Sequence, residues 1–148
     1  MTNNDIIRSI RYSFGLSNPE IIRIFALGGL SVTQEEAAVW FKKEEDPEFK
    51  PLNDLRLATF LNGLITWKRG KKEGEQPVPE KKLNNNIILR KLKIALDLRD
   101  EEILEILGRS GRRISKHELS AFFRKPGQSQ YRPCKDQILR NFLHGLKM

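Results

Sequence analysis

Three acidic positions occur twice in the chain at a constant separation of 82 residues, and they are the first candidates for chemistry. The pairs are Glu20/Glu102, Glu36/Glu118 and Asp54/Asp136. Two carboxylates can act together as a general acid and a general base. Each pair, however, falls where the sequence predicts the first turn of a helix, and a carboxylate there caps free N–H groups and interacts favourably with the helix dipole. We therefore assign these residues structural roles and predict that the protein is not an enzyme.

The other reactive residue types do not form a recognisable site. His117 and His144 lack an acidic or cysteine companion at a metal-ligand spacing, so no metal is expected. Cys134 aligns with Leu52 of the other copy, which favours a small buried thiol over a nucleophile. No glycine-rich phosphate loop and no nucleophile elbow is present. The sequence therefore predicts no cofactor.

The constant separation reflects an internal repeat. Residues 4–64 align with residues 86–146 without a gap, and 18 of the 61 aligned pairs are identical. A unit of about 60 residues is marginally stable when it folds alone, so we expect the two copies to pack together. The boundaries predicted from the repeat are residues 1–67 for the first copy and 84–148 for the second. Residues 68–83 are polar and rich in Gly and Pro, which is typical of an exposed linker.

Apolar residues recur at helical spacing throughout both copies, as in Ile6, Ile7, Ile10 and Phe14, and no strand pattern is present. The fold class predicted is all-α, with two tandem pseudo-symmetric four-helix repeats packed together. Capping boxes are expected at three helix starts, and these begin at Ser17, Thr33 and Ser115. Two glycines, Gly29 and Gly111, are predicted to stop the second helices. Two prolines, Pro51 and Pro133, are predicted to lie in the first turn of the fourth helices.

The basic residues are concentrated in the second copy, which contains fourteen basic and seven acidic residues between positions 84 and 148. Residues 1–70 contain nine of each. Because both copies share a fold, the excess charge is not a requirement of folding, and it would attract a polyanion. The candidate nucleic-acid-binding residues are Arg109, Arg112, Arg113, Lys116, Arg124, Lys125 and Arg132. They are predicted to contact phosphates, although a merely solvated face remains an alternative.

A second pattern is an aromatic residue followed by a cation and a proline just before each predicted fourth helix. It comprises Phe49 and Lys50 in the first copy and Tyr131, followed by Arg132, in the second. Exposed rings here would stack on a base or grip a partner protein, and buried rings would fix the entry of the helix. Phe49, Lys50 and Tyr131 are therefore the candidate partner-binding residues.

Composition also limits the cellular location. No apolar run approaches the length of a membrane helix, and the first residues lack the pattern of a secretory leader. With a single cysteine the chain has no disulfide framework. We therefore expect a soluble cytoplasmic protein with no membrane partner.

Four segments carry a family resemblance: residues 60–64, reading FLNGL, residues 68–71, reading KRGK, residues 118–125, reading ELSAFFRK, and residues 139–146, reading LRNFLHGL. In this order they resemble the bacterial YehS-like family (DUF1456), and the similarity extends over nearly the whole chain. The resemblance implies two tandem copies of a domain of unknown function and a bacterial, cytoplasmic origin. It implies no catalytic residue or ligand.

From these observations we predict a non-enzymatic binding protein. Its second copy would bind DNA or RNA through phosphate contacts. The alternative is a protein–protein interaction adaptor with no nucleic-acid role.

Overall fold

The computed structural model describes all residues from 1 to 148 and contains eight α-helices and no strand. The helices of the first copy are α1 (Asn3–Phe14), α2 (Asn18–Leu27), α3 (Gln34–Ala38) and α4 (Asp54–Arg69). Those of the second copy are α5 (Asn85–Ala95), α6 (Asp100–Arg109), α7 (Lys116–Phe122) and α8 (Asp136–Leu146). The all-α class and the repeat of four helices are confirmed.

The contacts divide the chain into two compact units, Met1–Leu83 and Asn84–Met148. The segment after α4 is assigned to the first unit, where the Leu83 N–H donates to the Asp54 carboxylate at 2.9 Å. Helix α4 also continues through Arg69, so the first two residues of the predicted linker are helical. The Gly70 N–H donates to the Thr66 carbonyl and ends the helix there.

The predicted capping boxes are present. The Glu20 N–H donates to the Ser17 hydroxyl at 3.3 Å, and the Ser17 N–H donates to the Glu20 carboxylate at 2.9 Å. The pairs beginning at Thr33 and Ser115 repeat this exchange. The backbone N–H of Ser17 holds the pKa of Glu20 below its usual range, because the hydrogen bond favours the charged carboxylate. These carboxylates therefore act at helix starts, as predicted.

The predicted helix stops are confirmed, whereas the proline prediction is wrong. Gly29 and Gly111 have φ values of +103° and +83°, and glycine adopts this backbone conformation with little strain. Pro51 and Pro133 lie outside the fourth helices, which begin three residues later. Helix α4 begins only at Asp54 because Asn53 has an extended backbone and caps the helix by accepting the Arg56 N–H at 2.8 Å. The Leu52 carbonyl, which that N–H would reach in a longer helix, accepts the Asn3 amide instead.

Each unit has its core where the second helix crosses the fourth. A Cβ atom added to Gly63 would lie 1.8 Å from the Ile24 carbonyl oxygen, and one added to Gly145 would lie 2.1 Å from the Ile106 carbonyl oxygen. Glycine therefore allows the two backbones to touch in both units. Beside the first crossing, Phe25 is fully buried between the rings of Trp40 and Phe60.

Candidate functional site

The loop before α8 is held by a buried asparagine, Asn86. Its amide nitrogen donates to the carbonyls of Phe122 and Arg132 at 3.0 and 2.8 Å, and its oxygen accepts the Cys134 N–H at 2.8 Å. Asn86 is 4 % exposed, and its bonds to Phe122 and Cys134 are buried. The side chain therefore joins the end of α7 to both sides of Pro133.

The first unit contains the same hydrogen-bonding arrangement around a buried asparagine. Asn4 donates to the Trp40 and Lys50 carbonyls and accepts the Leu52 N–H, all at 3.0 Å. Neither asparagine was predicted from the sequence, although an Asn identical in the two copies at a separation of 82 residues was a usable signal. The preceding Asn3 and Asn85 are also identical and donate to Asp54 and Asp136, both at 2.7 Å.

A cavity of about 380 Å³ opens beside the anchored loop of the second unit. Its lining comprises Arg112, Glu118, Phe122, Arg132, Pro133, Lys135, Gln137 and Ile138. Two of the predicted nucleic-acid-binding residues, Arg112 and Arg132, thus line one cavity together with a third cation, Lys135. The three cations come from two segments: Arg112 lies in the α6–α7 turn, and Arg132 and Lys135 lie in the loop before α8.

The cations of the cavity are poorly neutralised. Arg112 and Arg132 have no carboxylate within 4.0 Å, and the Arg132 guanidinium donates to the Tyr131 carbonyl at 3.2 Å. Glu118 is the one acidic residue in the lining, and one of its oxygens accepts the Ser115 N–H at 3.2 Å. The cavity therefore has a net positive lining.

Lys135 was not predicted from the sequence, and its position is unfavourable for helix α8. It is the N-cap of α8, but its side chain accepts no N–H there. Asn53, the corresponding residue of the first unit, caps α4 by accepting the Arg56 N–H at 2.8 Å. A lysine at a helix start loses such a cap and meets the positive end of the dipole. Lys135 is therefore not explained by helix stability, and the Asn-to-Lys difference between copies was the signal for it.

The remaining predicted cations are exposed but do not line the cavity. The Arg109 guanidinium lies 3.5 Å from the Glu105 carboxylate. The Lys116 Nζ donates to Glu101 at 3.0 Å, and this hydrogen bond raises the pKa of Lys116. The other three, Arg113, Arg124 and Lys125, form no ion pair.

The equivalent region of the first unit has a different surface. Leu30 replaces Arg112, and Arg56 replaces Ile138. The Arg56 guanidinium carbon lies 5.4 Å from the centre of the Trp40 ring, so the cation covers the aromatic residue that corresponds to Phe122. The nearby cavity of about 510 Å³ has one cation in its lining, Arg56 itself.

The candidate partner-binding residues lie in similar turns of the two units. Phe49 and Tyr131 are half-buried, and Lys50 is exposed. The Phe49 N–H donates to the Asp46 carbonyl, and the Tyr131 N–H donates to the Gln128 carbonyl. Each ring is thus partly packed and partly accessible, and a partner-binding role for these three residues stays a prediction.

The remaining reactive groups occupy separate positions. Cys134 is 4 % exposed, which confirms the predicted burial, and burial raises the pKa of its thiol to about 12. A thiol that stays protonated at neutral pH is a poor nucleophile. His117 and His144 are exposed on different helices, and no three His, Cys, Asp or Glu side chains cluster as metal ligands would. None of the eight helices combines the length and the apolar character that crossing a bilayer requires.

Comparison with known proteins places the repeat in a family. The family described as "Protein of unknown function (DUF1456)" matches the chain twice, over residues 3–70 and 85–148. The chain belongs to this family. The Escherichia coli K12 "Uncharacterized protein YehS" is 46 % identical to it over 147 residues, covering 99 % of this chain and 94 % of the relative. The resemblance to the YehS-like family is thereby confirmed, and no solved structure matches.

Membership of DUF1456 sharpens the contrast between the two units. Both units match the same family description, yet only the second gathers Arg112, Arg132 and Lys135 around a cavity. The DUF1456 fold therefore forms without this arrangement, as the first unit demonstrates.

Proposed function

We propose that the second unit of this DUF1456 protein binds nucleic acid through the phosphate backbone. The observation that supports the proposal is the convergence of Arg112, Arg132 and Lys135 on one cavity, without a counterpart in the first unit. These cations have few acidic neighbours, so an external anion is the natural partner of the cavity. Arg113, Arg124 and Lys125 would extend the contact along the backbone, while Arg109 and Lys116 would exchange their carboxylate partners for phosphate.

The expected affinity depends strongly on salt. Cations that neutralise phosphates release condensed counterions, and each contact on a duplex contributes about 0.9 to the slope of log affinity against log salt. Three phosphate contacts, all in the cavity, predict that the affinity falls roughly 40-fold between about 50 and 200 mM salt. Five contacts, with two further arginines or lysines, predict a fall of roughly 500-fold.

The test is fluorescence anisotropy with labelled duplex DNA, single-stranded DNA and RNA at these two salt concentrations. The decisive variant is Arg112→Glu with Arg132→Glu. Its matched control is Lys71→Glu with Lys72→Glu, which changes the net charge equally on the exposed segment after α4. We expect the first variant to abolish salt-dependent binding and the control to retain most of it. Equal losses in the two variants, or no binding by the native protein at the lower salt, would refute the proposal.

The adaptor alternative makes a different prediction. If Phe49, Lys50 and Tyr131 grip a protein, Phe49→Ala with Tyr131→Ala releases a co-purifying protein and leaves binding to nucleic acid unchanged. A co-purifying protein that depends on these rings, together with no binding to any nucleic acid, would replace the proposed function by the adaptor role.

A further inference from the structure

The cavity of the second unit has apolar walls as well as cations. Its cations share the lining with Phe122, Pro133 and Ile138. Cations on a convex surface are sufficient to bind a duplex backbone. This site is concave, has apolar and polar walls, and its volume of about 380 Å³ falls within the roughly 300–1,000 Å³ range of small-ligand sites. The shape and the mixed lining therefore suit a ligand that has both a flat apolar part and a phosphate.

The equivalent cavity of the first unit, of about 510 Å³, has a different wall. There Arg56 occupies the position of Ile138 and lies over Trp40, the counterpart of Phe122. In the second unit the shorter, uncharged Ile138 leaves Phe122 in the cavity wall. The Ile-for-Arg difference thus makes this wall apolar instead of cationic, next to three cations.

We infer that the cavity takes up one unstacked nucleotide of a single-stranded nucleic acid. This inference rests on the backbone binding proposed above and adds that the bound nucleic acid is single-stranded. The phosphate lies at Arg112, Arg132 and Lys135, and the base lies against Phe122 and Pro133. Bases in a duplex are stacked and paired, whereas a single strand can place a base on an aromatic or apolar wall.

The polar residues of the lining favour one orientation of the nucleotide in the cavity. The Glu118 carboxylate repels phosphate and accepts hydrogen bonds from N–H or O–H donors, which a base edge and a sugar supply. Gln137 both donates and accepts. The phosphate is therefore kept on the side of the cations, and the base and sugar are placed toward Glu118 and Gln137.

The most direct test is Ile138→Arg, which installs the residue of the first unit. The variant adds a positive charge, so purely electrostatic binding would become tighter for every nucleic acid. If the cavity holds a base, the new side chain covers Phe122 and single-strand affinity falls roughly 5- to 150-fold, the value of one stacked base. Duplex affinity stays the same or rises. Tighter binding of both single strand and duplex would overturn the inference.

A matched control separates charge from occlusion. Ser129→Arg adds the same charge on the exposed loop outside the cavity, and we expect it to strengthen both kinds of binding slightly. Circular dichroism and urea unfolding verify that both variants are folded, because Ile138 is 5 % exposed and its replacement affects packing.

A measurement on the native protein does not depend on that variant. Adenosine monophosphate and inorganic phosphate are titrated separately against labelled protein, and the backbone amide signals of Gln137 and Ile138 are followed by NMR. We expect the nucleotide to shift both signals saturably and further than phosphate does. Equal shifts from the two ligands would refute the base contact, and a nucleotide that binds as tightly as a ten-residue oligonucleotide would make this a free-nucleotide site instead.

The outcomes distinguish the two proposals. If the native protein binds no nucleic acid at the lower salt, the proposed function fails and the inference fails with it. If duplex and single strand bind equally and Ile138→Arg weakens neither, backbone binding stands and the nucleotide cavity is refuted.

Discussion

Replacing Asn86 with alanine tests whether one buried side chain holds the loop that carries Arg132. The substitution removes three hydrogen bonds, to the Phe122 and Arg132 carbonyls and from the Cys134 N–H. At a net value of about 1 kcal/mol each, their loss costs about 3 kcal/mol. The cost rises toward 5 kcal/mol because the Phe122 carbonyl and the Cys134 N–H stay buried without partners. That is a large part of the roughly 5–15 kcal/mol by which a domain is stable.

The assay is urea unfolding followed by circular dichroism, combined with hydrogen exchange at the Cys134 amide. With a urea dependence of about 2 kcal/mol per M, the unfolding midpoint falls by roughly 1.5–2.5 M. Exchange at Cys134 accelerates because its N–H loses its acceptor. The control is Asn84→Ala, which removes a single exposed cap bond to the Ile87 N–H and should cost about 1 kcal/mol. A midpoint shift no larger than that of the control, with the Cys134 amide still protected, would refute the anchoring role.

Two glycines of the second unit should respond in opposite directions to alanine. Gly145→Ala should cost about 3 kcal/mol in urea unfolding, because its Cβ would lie 2.1 Å from the Ile106 carbonyl oxygen. Gly108→Ala should stabilise α6 by up to about 1 kcal/mol, since a Cβ there meets nothing within 4 Å, and a loss of stability would contradict this account. We expect Cys134 to lower the stability of the protein at alkaline pH. The pKa of its thiol is about 12 in the folded state and about 9 in the unfolded state, so above pH 9 the thiol loses its proton more readily in the unfolded state. Stability should fall between about pH 9 and 12 by up to about 1.4 kcal/mol per pH unit. Cys134→Leu should remove this part of the decline, and an identical pH profile in the variant would show that the thiol does not contribute.

The candidate site was only partly visible in the sequence. Arg112 and Arg132 stood out because they lie in a basic excess that the first copy lacks. Lys135 did not, because a single lysine before a helix resembles any solvated residue until its position beside the other two cations is known. Arg109 and Lys116 were grouped with them by charge alone, and the structure shows that both already have carboxylate partners.

The sequence by itself determined the repeat, from an ungapped match at a separation of 82 residues. It also determined the eight helices and several of their ends, because helical periodicity, capping boxes and left-handed glycines depend on residues three or four positions apart. It did not determine the anchoring by Asn4 and Asn86, whose hydrogen bonds reach across 36 to 48 residues. Only the tertiary structure decided that the α6–α7 turn and the loop before α8 meet around one cavity in the second unit. Such a meeting follows from the crossing of α6 and α8 and from a buried amide that fixes a loop, and neither is encoded in local spacing.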